Sequence, residues 1–153
     1  MTRTGRFALI LGIVAIAMGF GAWYFSRAAT PVPQPPAPAQ PAAKDDLISV
    51  DAPLPQATVG SPLTVTGKAR GSWYFEAQFP VKIYDGNHTL LGTTAARAQG
   101  DWMTSEYVPF SATLSFATPA TATGTLVLKK DNPSGDPSRD NELDIPIIFG
   151  TAH

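Results

Sequence analysis

Alternating apolar and polar positions run along the middle of the chain, from Gly67 to Asp85. The apolar side chains stand at odd positions: Trp73, Phe75, Ala77, Phe79, Val81 and Ile83. Because successive side chains of a strand point to opposite faces, this spacing predicts the central strand of a β-domain, with one buried face. Tyr74, Glu76 and Gln78 would then face solvent, and Pro80 predicts a bulge or a sheet edge.

The same alternation recurs in shorter segments on either side. Leu63, Val65 and Gly67 share one face, while Asp85–His88 is typical of a hairpin turn that needs a positive φ at its Asp-Gly pair, with Thr89–Gly92 as the return strand. The remaining segments are 47–50, 108–116, 125–129 and 143–149. About seven strands without a helical period after residue 25 predict an immunoglobulin-like antiparallel β-sandwich. Since the Cys-Trp-Cys spacing of antibody domains is missing, a different Greek-key sandwich is the alternative.

A charge-free segment of 19 residues, 7–25, follows two arginines near the amino terminus. As a helix it would be roughly 28 Å long, enough to cross the hydrocarbon core of a bilayer. The positive flank predicts a cytoplasmic N-terminus at residues 1–6 and a single-pass signal anchor. A cleaved signal peptide, with the small residues Ser26 and Ala28 before the cleavage site, is the alternative.

The stretch 26–44 is rich in proline and alanine, with six prolines between Pro31 and Pro41. Each proline fixes its φ and lacks an N–H donor, so helix and sheet are both disfavoured. We therefore expect a semi-rigid linker here, followed by the folded domain at 45–150.

Charge and cysteine content narrow the function classes. The chain has a formal net charge of -1, but from residue 44 onward 12 acids face eight Lys and Arg, giving the domain -4. A mildly acidic domain without a basic stripe is a poor nucleic-acid binder, because phosphate neutralisation needs clustered cations. With no cysteine, the chain has no disulfide, no thiolate nucleophile and no Cys-ligated metal, and no cofactor is predicted.

Residues for catalysis are few. The only histidines are His88, in the predicted hairpin turn, and His153, at the C-terminus, and neither is well placed as a general base or a metal ligand. Glu76 and Asp101 are a conceivable carboxylate pair for glycoside hydrolysis, but solvated acids on strand faces are the more ordinary interpretation. We therefore expect no enzymatic activity.

The acidic loop from Asp131 to Glu142 is a second candidate site, because Ca²⁺ prefers carboxylate and carbonyl oxygens. Its spacing does not fit an EF-hand, and a structured turn is favoured instead. In that turn Asp131 and Asn132 would hydrogen-bond the backbone and Gly135 would take a positive φ.

Aromatic residues provide the better candidate. Trp102 lies in GDWMTSEY, which lacks clean alternation and is predicted to be a loop or bulge. It either caps the core or presents a flat surface for a sugar or peptide. The candidate binding residues are Tyr74, Glu76, Gln78, Trp102, Asp131 and Asn132.

Four blocks, at 48–85, 98–116, 126–137 and 142–149, together resemble a known family in the same order along the chain. They are similar to the immunoglobulin-like domain of bacterial spore-germination proteins, which often accompanies a GerM-type domain in envelope proteins. The resemblance covers about residues 47–149 and implies a bacterial source, an immunoglobulin-like sandwich and an extracytoplasmic role. It brings no catalytic or ligand residues with it.

These observations predict a non-catalytic binding or scaffolding module of the bacterial cell envelope. We expect it to be anchored in the plasma membrane through residues 7–25, with its C-terminal domain outside the cytoplasm. Its partner would be an envelope protein or a peptidoglycan-type glycan. The alternatives are an accessory subunit or weak hydrolase acting on envelope polymers, and a structural membrane protein that self-associates.

Overall fold

Nine β-strands and two short 3₁₀ turns make up the part of the chain that the computed structural model describes, residues 40–150. The strands are β1 (Ala42–Lys44), β2 (Ile48–Ala52), β3 (Thr58–Val59), β4 (Leu63–Arg70), β5 (Gln78–Asp85), β6 (Leu90–Ala98), β7 (Tyr107–Leu114), β8 (Thr123–Lys129) and β9 (Glu142–Phe149). The 3₁₀ turns are Gly71–Trp73 and Pro137–Arg139. Within these residues there is no α-helix, which confirms the all-β prediction.

The strands form one curled sheet in the order β1-β2-β4-β7-β6-β5-β8-β9-β3. All neighbours are antiparallel except β3, which pairs with β9 in parallel. The sheet has two halves, β1-β2-β4-β7 and β6-β5-β8-β9-β3. Few residue pairs connect them, because β6 and β7 share only the pairs Arg97↔Ser111 and Ala98↔Phe110. The two edges of the curled sheet also approach each other: the Lys44 ammonium donates to the carbonyl of Glu142 (2.8 Å), so β1 lies beside the start of β9. The result is an immunoglobulin-like fold with nine strands, rather than the predicted seven.

One hydrophobic core lies between the two halves of the sheet. Alternate residues of β4, β5, β7, β8 and β9 are buried, as the period-2 pattern predicts for a sheet with one covered face, whereas Ala96 is the one buried residue of β6. The ring of Phe79 on β5 meets that of Phe110 on β7 edge to face, with centroids 4.9 Å apart. Because these strands belong to different halves, this aromatic contact bridges the sandwich.

The predicted central strand from Gly67 to Asp85 is wrong as a single element. Its first residues belong to β4, the chain then turns through Gly71–Trp73, and only Gln78–Asp85 form β5. Alternation continues through β5, but the intervening turns break the parity. Phe75 is therefore exposed although it was predicted to be buried, and Tyr74 is buried although it was predicted to face solvent.

Pro80 lies where β5 has a neighbour on one side only. β5 pairs with β6 from Gln78 onward, whereas its pairing with β8 begins at Val81. The missing N–H of Pro80 is thus tolerated at a local edge, as the sequence predicted. The irregularity in this strand falls later, between Ile83 and Tyr84.

The Asp85–His88 hairpin is confirmed, but its geometry differs from the prediction. The positive φ belongs to His88 (61°) and not to Gly86. His88 donates its N–H to the Asp85 carbonyl (3.0 Å), and Asp85 donates its own to the Thr89 carbonyl (3.0 Å). This is the three-residue hairpin loop, a type I turn followed by a left-handed residue, and its return strand β6 runs on to Ala98.

Strand β1 lies inside the stretch predicted as linker, so the sheet begins before the predicted domain boundary at residue 45. Its backbone pairs with β2 from Ala42 to Lys44. The predicted anchor at 7–25, the N-terminus at 1–6 and most of the linker lie outside the described residues. Among residues 40–150 there is no helix with the length and apolar character of a membrane span.

Candidate binding site at the acidic end of the sheet

Four connecting segments meet at one end of the sheet, where β4 and β6 end and β5 and β7 begin. We call this the acidic end and define it as 45–47, 71–77, 99–106 and 130–141. Five of the six candidate residues lie in these segments, and Gln78 follows directly as the first residue of β5. The opposite end, which we call the neutral end, consists of 53–62, 86–90 and 115–122, and it includes Leu90, the first residue of β6.

Gly71 is the point at which two of these segments cross. A Cβ atom at this position would lie less than 3.0 Å from the carbonyl oxygens of both Trp102 and Thr104. Only glycine permits so close a backbone approach, so the sequence Gly71–Trp73 holds the 99–106 loop directly against the end of β4. Asp131 joins the same cluster, because its backbone N–H donates to the carbonyl of Trp73 (3.1 Å).

Aromatic side chains fasten segment 71–77 to the core. Trp73 is 1% exposed and packs edge to face on Phe79. Tyr74 also contacts Phe79, and its hydroxyl donates to the backbone carbonyl of Val108 (2.7 Å). Burial raises the pKa of the Tyr74 phenol. The prediction that Tyr74 faces solvent as a binding contact is therefore wrong. Its side chain is buried and holds segment 71–77 against the core.

Beyond Tyr74 the chain reverses in a two-residue turn. Phe75 and Gln78 exchange backbone hydrogen bonds (3.0 and 3.1 Å), while Glu76 and Ala77 both have positive φ values, 51° and 61°. Two left-handed residues define a type I′ turn, which normally contains glycine or asparagine. The turn places the Glu76 carboxylate in solvent, as predicted, and leaves Gln78 half-buried beside it.

The 99–106 segment is a loop, as its irregular pattern predicted. Trp102 is half-buried and packs against the hydrophobic core, in agreement with the core-capping alternative, and part of its ring stays accessible. Met103 is 77% exposed. The Asp101 carboxylate accepts the backbone N–H of Met103 (3.0 Å), an Asx turn that presents the methionine outward. Sequence reasoning placed Met103 in this loop but did not select it.

The 130–141 segment is the structured turn that the sequence favoured. Gly135 takes a positive φ (67°), and the amide of Asn132 donates to the carbonyl of Asp136 (2.8 Å) and to the carboxylate of Asp140 (2.9 Å). Asn132 therefore organises the loop. Within the described residues Asp131 makes its hydrogen bond through the backbone and not through its carboxylate, in contrast to the prediction.

The β1–β2 turn is tied to the sheet by a group of three side chains. Arg70 donates to the Asp46 carboxylate (2.6 Å) and lies over the ring of Tyr107 at 4.0 Å from its centroid. The Tyr107 hydroxyl also donates to Asp46 (2.6 Å). The hydrogen bond from Tyr107, with that from Arg70, holds the pKa of the Asp46 carboxyl below its ordinary value. Here too both central turn residues, Asp45 and Asp46, have positive φ.

The two ends of the sheet differ in their content of charged residues. The acidic-end segments contain eight carboxylates and only two cations, a net charge of -6, whereas the neutral-end segments contain no Asp, Glu, Lys or Arg. The acids are Asp45, Asp46, Glu76, Asp101, Glu106, Asp131, Asp136 and Asp140. Four of them form ion pairs, with Arg70, Lys129 or Arg139. Such an end attracts cations and repels anionic ligands.

The neutral end contains a groove of about 620 Å³ between β3 and the 115–122 segment. Phe116 and Phe149 line it, with ring centroids 5.7 Å apart. Two of its hydroxyls are already engaged: Ser61 accepts the N–H of Phe116 (3.0 Å), and Thr121 accepts that of Gly86 (2.8 Å). None of the residues that line the groove is charged, so the groove offers no ion pair with which to orient a ligand.

Chemistry at either end is limited by the available side chains. Among residues 40–150 no group of three or more His, Asp or Glu side chains is placed to hold a metal ion. His88 is exposed in its hairpin at the neutral end, far along the sheet from Glu76 and Asp101. The arrangement at the acidic end is suited to binding through charge and exposed apolar surface.

Comparison with known proteins gives one match. The family described as an immunoglobulin-like domain of bacterial spore germination matches residues 47–136, which span β2 to the β8–β9 loop. No curated protein and no solved structure matches the chain.

Proposed function

Because the chain belongs to the family of immunoglobulin-like domains of bacterial spore germination, we propose that it is a non-catalytic binding module of the bacterial cell envelope. Residues 7–25 anchor it in the plasma membrane, and the proline-rich stretch that follows displays the domain outside the cytoplasm. The charge-free segment, its arginine flank and the family support this arrangement.

The observation that carries the binding role is the convergence of the acidic-end segments around Gly71. Their backbones are fixed by close contacts and buried aromatic rings, while Phe75, Glu76 and Met103 remain exposed. A rigid loop cluster on a β-sandwich favours binding, because little conformational entropy is lost on association. We propose a protein partner before a wall glycan, since the most exposed large hydrophobic residue of the described chain is a methionine and not a flat aromatic ring.

Retention of envelope material tests the binding role. The full chain, reconstituted in nanodiscs and immobilised, is incubated separately with envelope protein extract and with purified wall sacculi. We expect a protein to be retained, and retention to fall when Met103 is replaced by serine. Leu90→Ser is the matched control, because Leu90 is also exposed (49%) but lies at the neutral end. No retention of either material by the unmodified chain would rule out the proposed function.

Membrane topology is tested separately. Because the chain has no cysteine, a single introduced cysteine is the one thiol in it that can react with a label. A single cysteine at Thr113, an exposed residue of β7, is compared with one at Thr4. With a membrane-impermeant maleimide, we expect Thr113→Cys to be labelled in intact cells and Thr4→Cys only after permeabilisation. The opposite pattern, or a chain that fractionates without membrane, contradicts the anchored arrangement.

A further inference from the structure

The exposed apolar side chains of the domain are concentrated at one end. Three large hydrophobic residues are exposed within residues 40–150: Phe75 (40%), Leu90 (49%) and Met103 (77%). Phe75 and Met103 belong to the two segments that cross at Gly71. Because Trp73 and Tyr74 fix one segment and the Asp101 turn fixes the other, both side chains are presented by ordered backbone.

Carboxylates without a cationic partner accompany these apolar groups. Within the described residues Asp45, Glu76, Asp101 and Asp131 form no ion pair. Glu76 directly follows Phe75 in the two-residue turn, and Asp101 accepts the N–H of Met103. Asp131 donates its backbone N–H to Trp73, the residue two before Phe75. Methionine and phenylalanine are enriched in protein interfaces, and carboxylates without an ion-pair partner beside them are complementary to a cationic partner.

We propose that the acidic end docks a basic segment of a partner protein, one in which Lys or Arg residues flank an apolar side chain. This inference rests on the proposed function and names the chemistry of its partner. Charge complementarity selects the sign: with Arg70 and Lys129 counted, this end has eight carboxylates and four cations, a net charge of -4, which accelerates the approach of a cationic segment and repels an anionic polymer. Phe75 and Met103 supply the desolvated centre, and methionine adapts its shape to the incoming side chain.

A neutral ligand fits this surface less well. Uncharged glycans are bound by stacking on flat aromatic rings and by neutral hydrogen-bonding groups. Here Trp102 lies half-buried against the core, and the exposed polar groups are predominantly carboxylates. Anionic ligands would be repelled, because four of the eight carboxylates form no ion pair among the described residues, whereas Arg70, Lys129 and Arg139 are each already paired with a carboxylate.

The experiment uses three labelled peptides and the full chain in nanodiscs of zwitterionic lipid, with empty nanodiscs as blank. The first peptide is Lys-Leu-Lys-Leu-Lys, the second replaces leucine by serine, and the third replaces lysine by glutamate. Fluorescence anisotropy gives each Kd. We expect the first peptide to bind at least tenfold more tightly than either control, and more weakly as ionic strength rises.

Matched variants locate the site. Glu76→Lys is expected to weaken binding of the first peptide at least tenfold. Asp51→Lys makes the same charge change at an exposed residue of β2 and is expected to change the Kd less than twofold. Met103→Ser is expected to weaken it at least fivefold and Leu90→Ser to leave it unchanged. Equal effects of Glu76→Lys and Asp51→Lys, or no preference for the first peptide, overturn the inference.

The same variants separate this inference from the proposed function. Envelope protein retained equally by unmodified and Glu76→Lys chains would leave the binding module intact and contradict a basic partner. Peptide binding without retention of any envelope material would contradict the envelope role and leave the chemistry of the surface standing.

Discussion

The two ends of the sheet are held together by different interactions. At the acidic end, buried rings and close backbone packing around Gly71 fix long segments. At the neutral end, Ser61 and Thr121, together with Asp85 at the adjoining end of β5, hold the connecting segments by accepting backbone N–H groups. At the acidic end Asp101 and Asn132 also shape their loops, but Asp45, Glu76, Asp101 and Asp131 form no ion pair among the described residues, whereas the neutral-end segments contain no Asp, Glu, Lys or Arg. This difference explains why we assign binding to the acidic end.

Truncating the ring beneath the acidic end is expected to have the largest effect. Trp73→Ala removes a side chain that is 1% exposed and leaves a cavity against Phe79, so the free energy of unfolding should fall by about 3–5 kcal/mol. Urea unfolding monitored by circular dichroism measures this change. Leu90→Ala at the neutral end, where the side chain is half in solvent, should change stability by less than about 0.5 kcal/mol. Comparable losses would mean that both ends depend equally on packing.

Adding one methyl group at the crossing point comes next. Gly71→Ala would force the carbonyls of Trp102 and Thr104 apart, and we expect a loss of about 2–3 kcal/mol together with displaced amide resonances in 99–106. Gly100→Ala is the control in the same loop, because its added Cβ would have 4.0 Å to the nearest atom, on Val108. If Gly71→Ala changed neither the free energy of unfolding nor the amide resonances of 99–106, the loop would not be fixed by its contact with Gly71.

Acid titration distinguishes the buried carboxylate of Asp85, at the end of β5 beside the neutral end, from the solvent-facing carboxylates of the acidic end. The backbone N–H of Thr89, with that of Asn87, lowers the pKa of the Asp85 carboxyl below its ordinary value. Its stabilising contribution is therefore present above about pH 4 and is lost as the pH falls through the lowered native pKa. Asp85→Asn should lower the melting temperature at pH 7 and flatten its decline below pH 4.

Asp46→Asn provides the matched comparison at the acidic end. Its pKa is also lowered, by Tyr107 and Arg70, but its side chain is 77% exposed, and solvent screens the interaction. We expect a smaller change of melting temperature and of its pH dependence than for Asp85→Asn. A larger change would mean that the β1–β2 turn is essential to the fold.

The smallest predicted effect is a gain of stability when an alanine is replaced by glycine. Ala77 occupies a left-handed conformation (φ 61°) in the two-residue turn, so Ala77→Gly relieves strain and should raise the free energy of unfolding by up to about 1 kcal/mol. Ala117→Gly, at an exposed neutral-end position without positive φ, should lower it by about 0.4–1 kcal/mol. Differential scanning calorimetry resolves the two directions, and a loss at both positions would contradict the strained turn.

Sequence periodicity predicted the strands that carry the core, because burial on one face imposes period 2 wherever a strand is long enough. Val108 to Leu114 and Leu143 to Phe149 are buried at the expected positions. Periodicity failed where apolar residues alternate for another reason: Trp73, Phe75 and Ala77 lie in turns, and their spacing is not that of a strand. The two-residue strand β3 has too few positions for any period to be recognised.

The positions of the candidate residues in the fold were predicted in part, from residue type and loop position. Trp102 and Asn132 were correctly placed in loops, and Glu76 was correctly expected to face solvent, although it lies in a turn and not on the predicted strand. Tyr74 was assigned to the wrong face. Its burial depends on the turn at Gly71 and on a hydrogen bond to Val108, 34 residues further along the chain, which no local pattern reports. Met103 was overlooked as a contact because its exposure follows from the Asp101 turn and from the space left by neighbouring loops.

By itself, the sequence determined the all-β class, the acidic character of the domain and its family, since these follow from local alternation, residue counts and ordered blocks of similarity. Only the tertiary structure decided that eight carboxylates and two exposed apolar side chains gather at one end. The physical reason is that the ends of antiparallel strands bring together residues as distant as Asp45 and Asp140. Strand order, which is set by the packing of the whole sheet, decides which loops become neighbours.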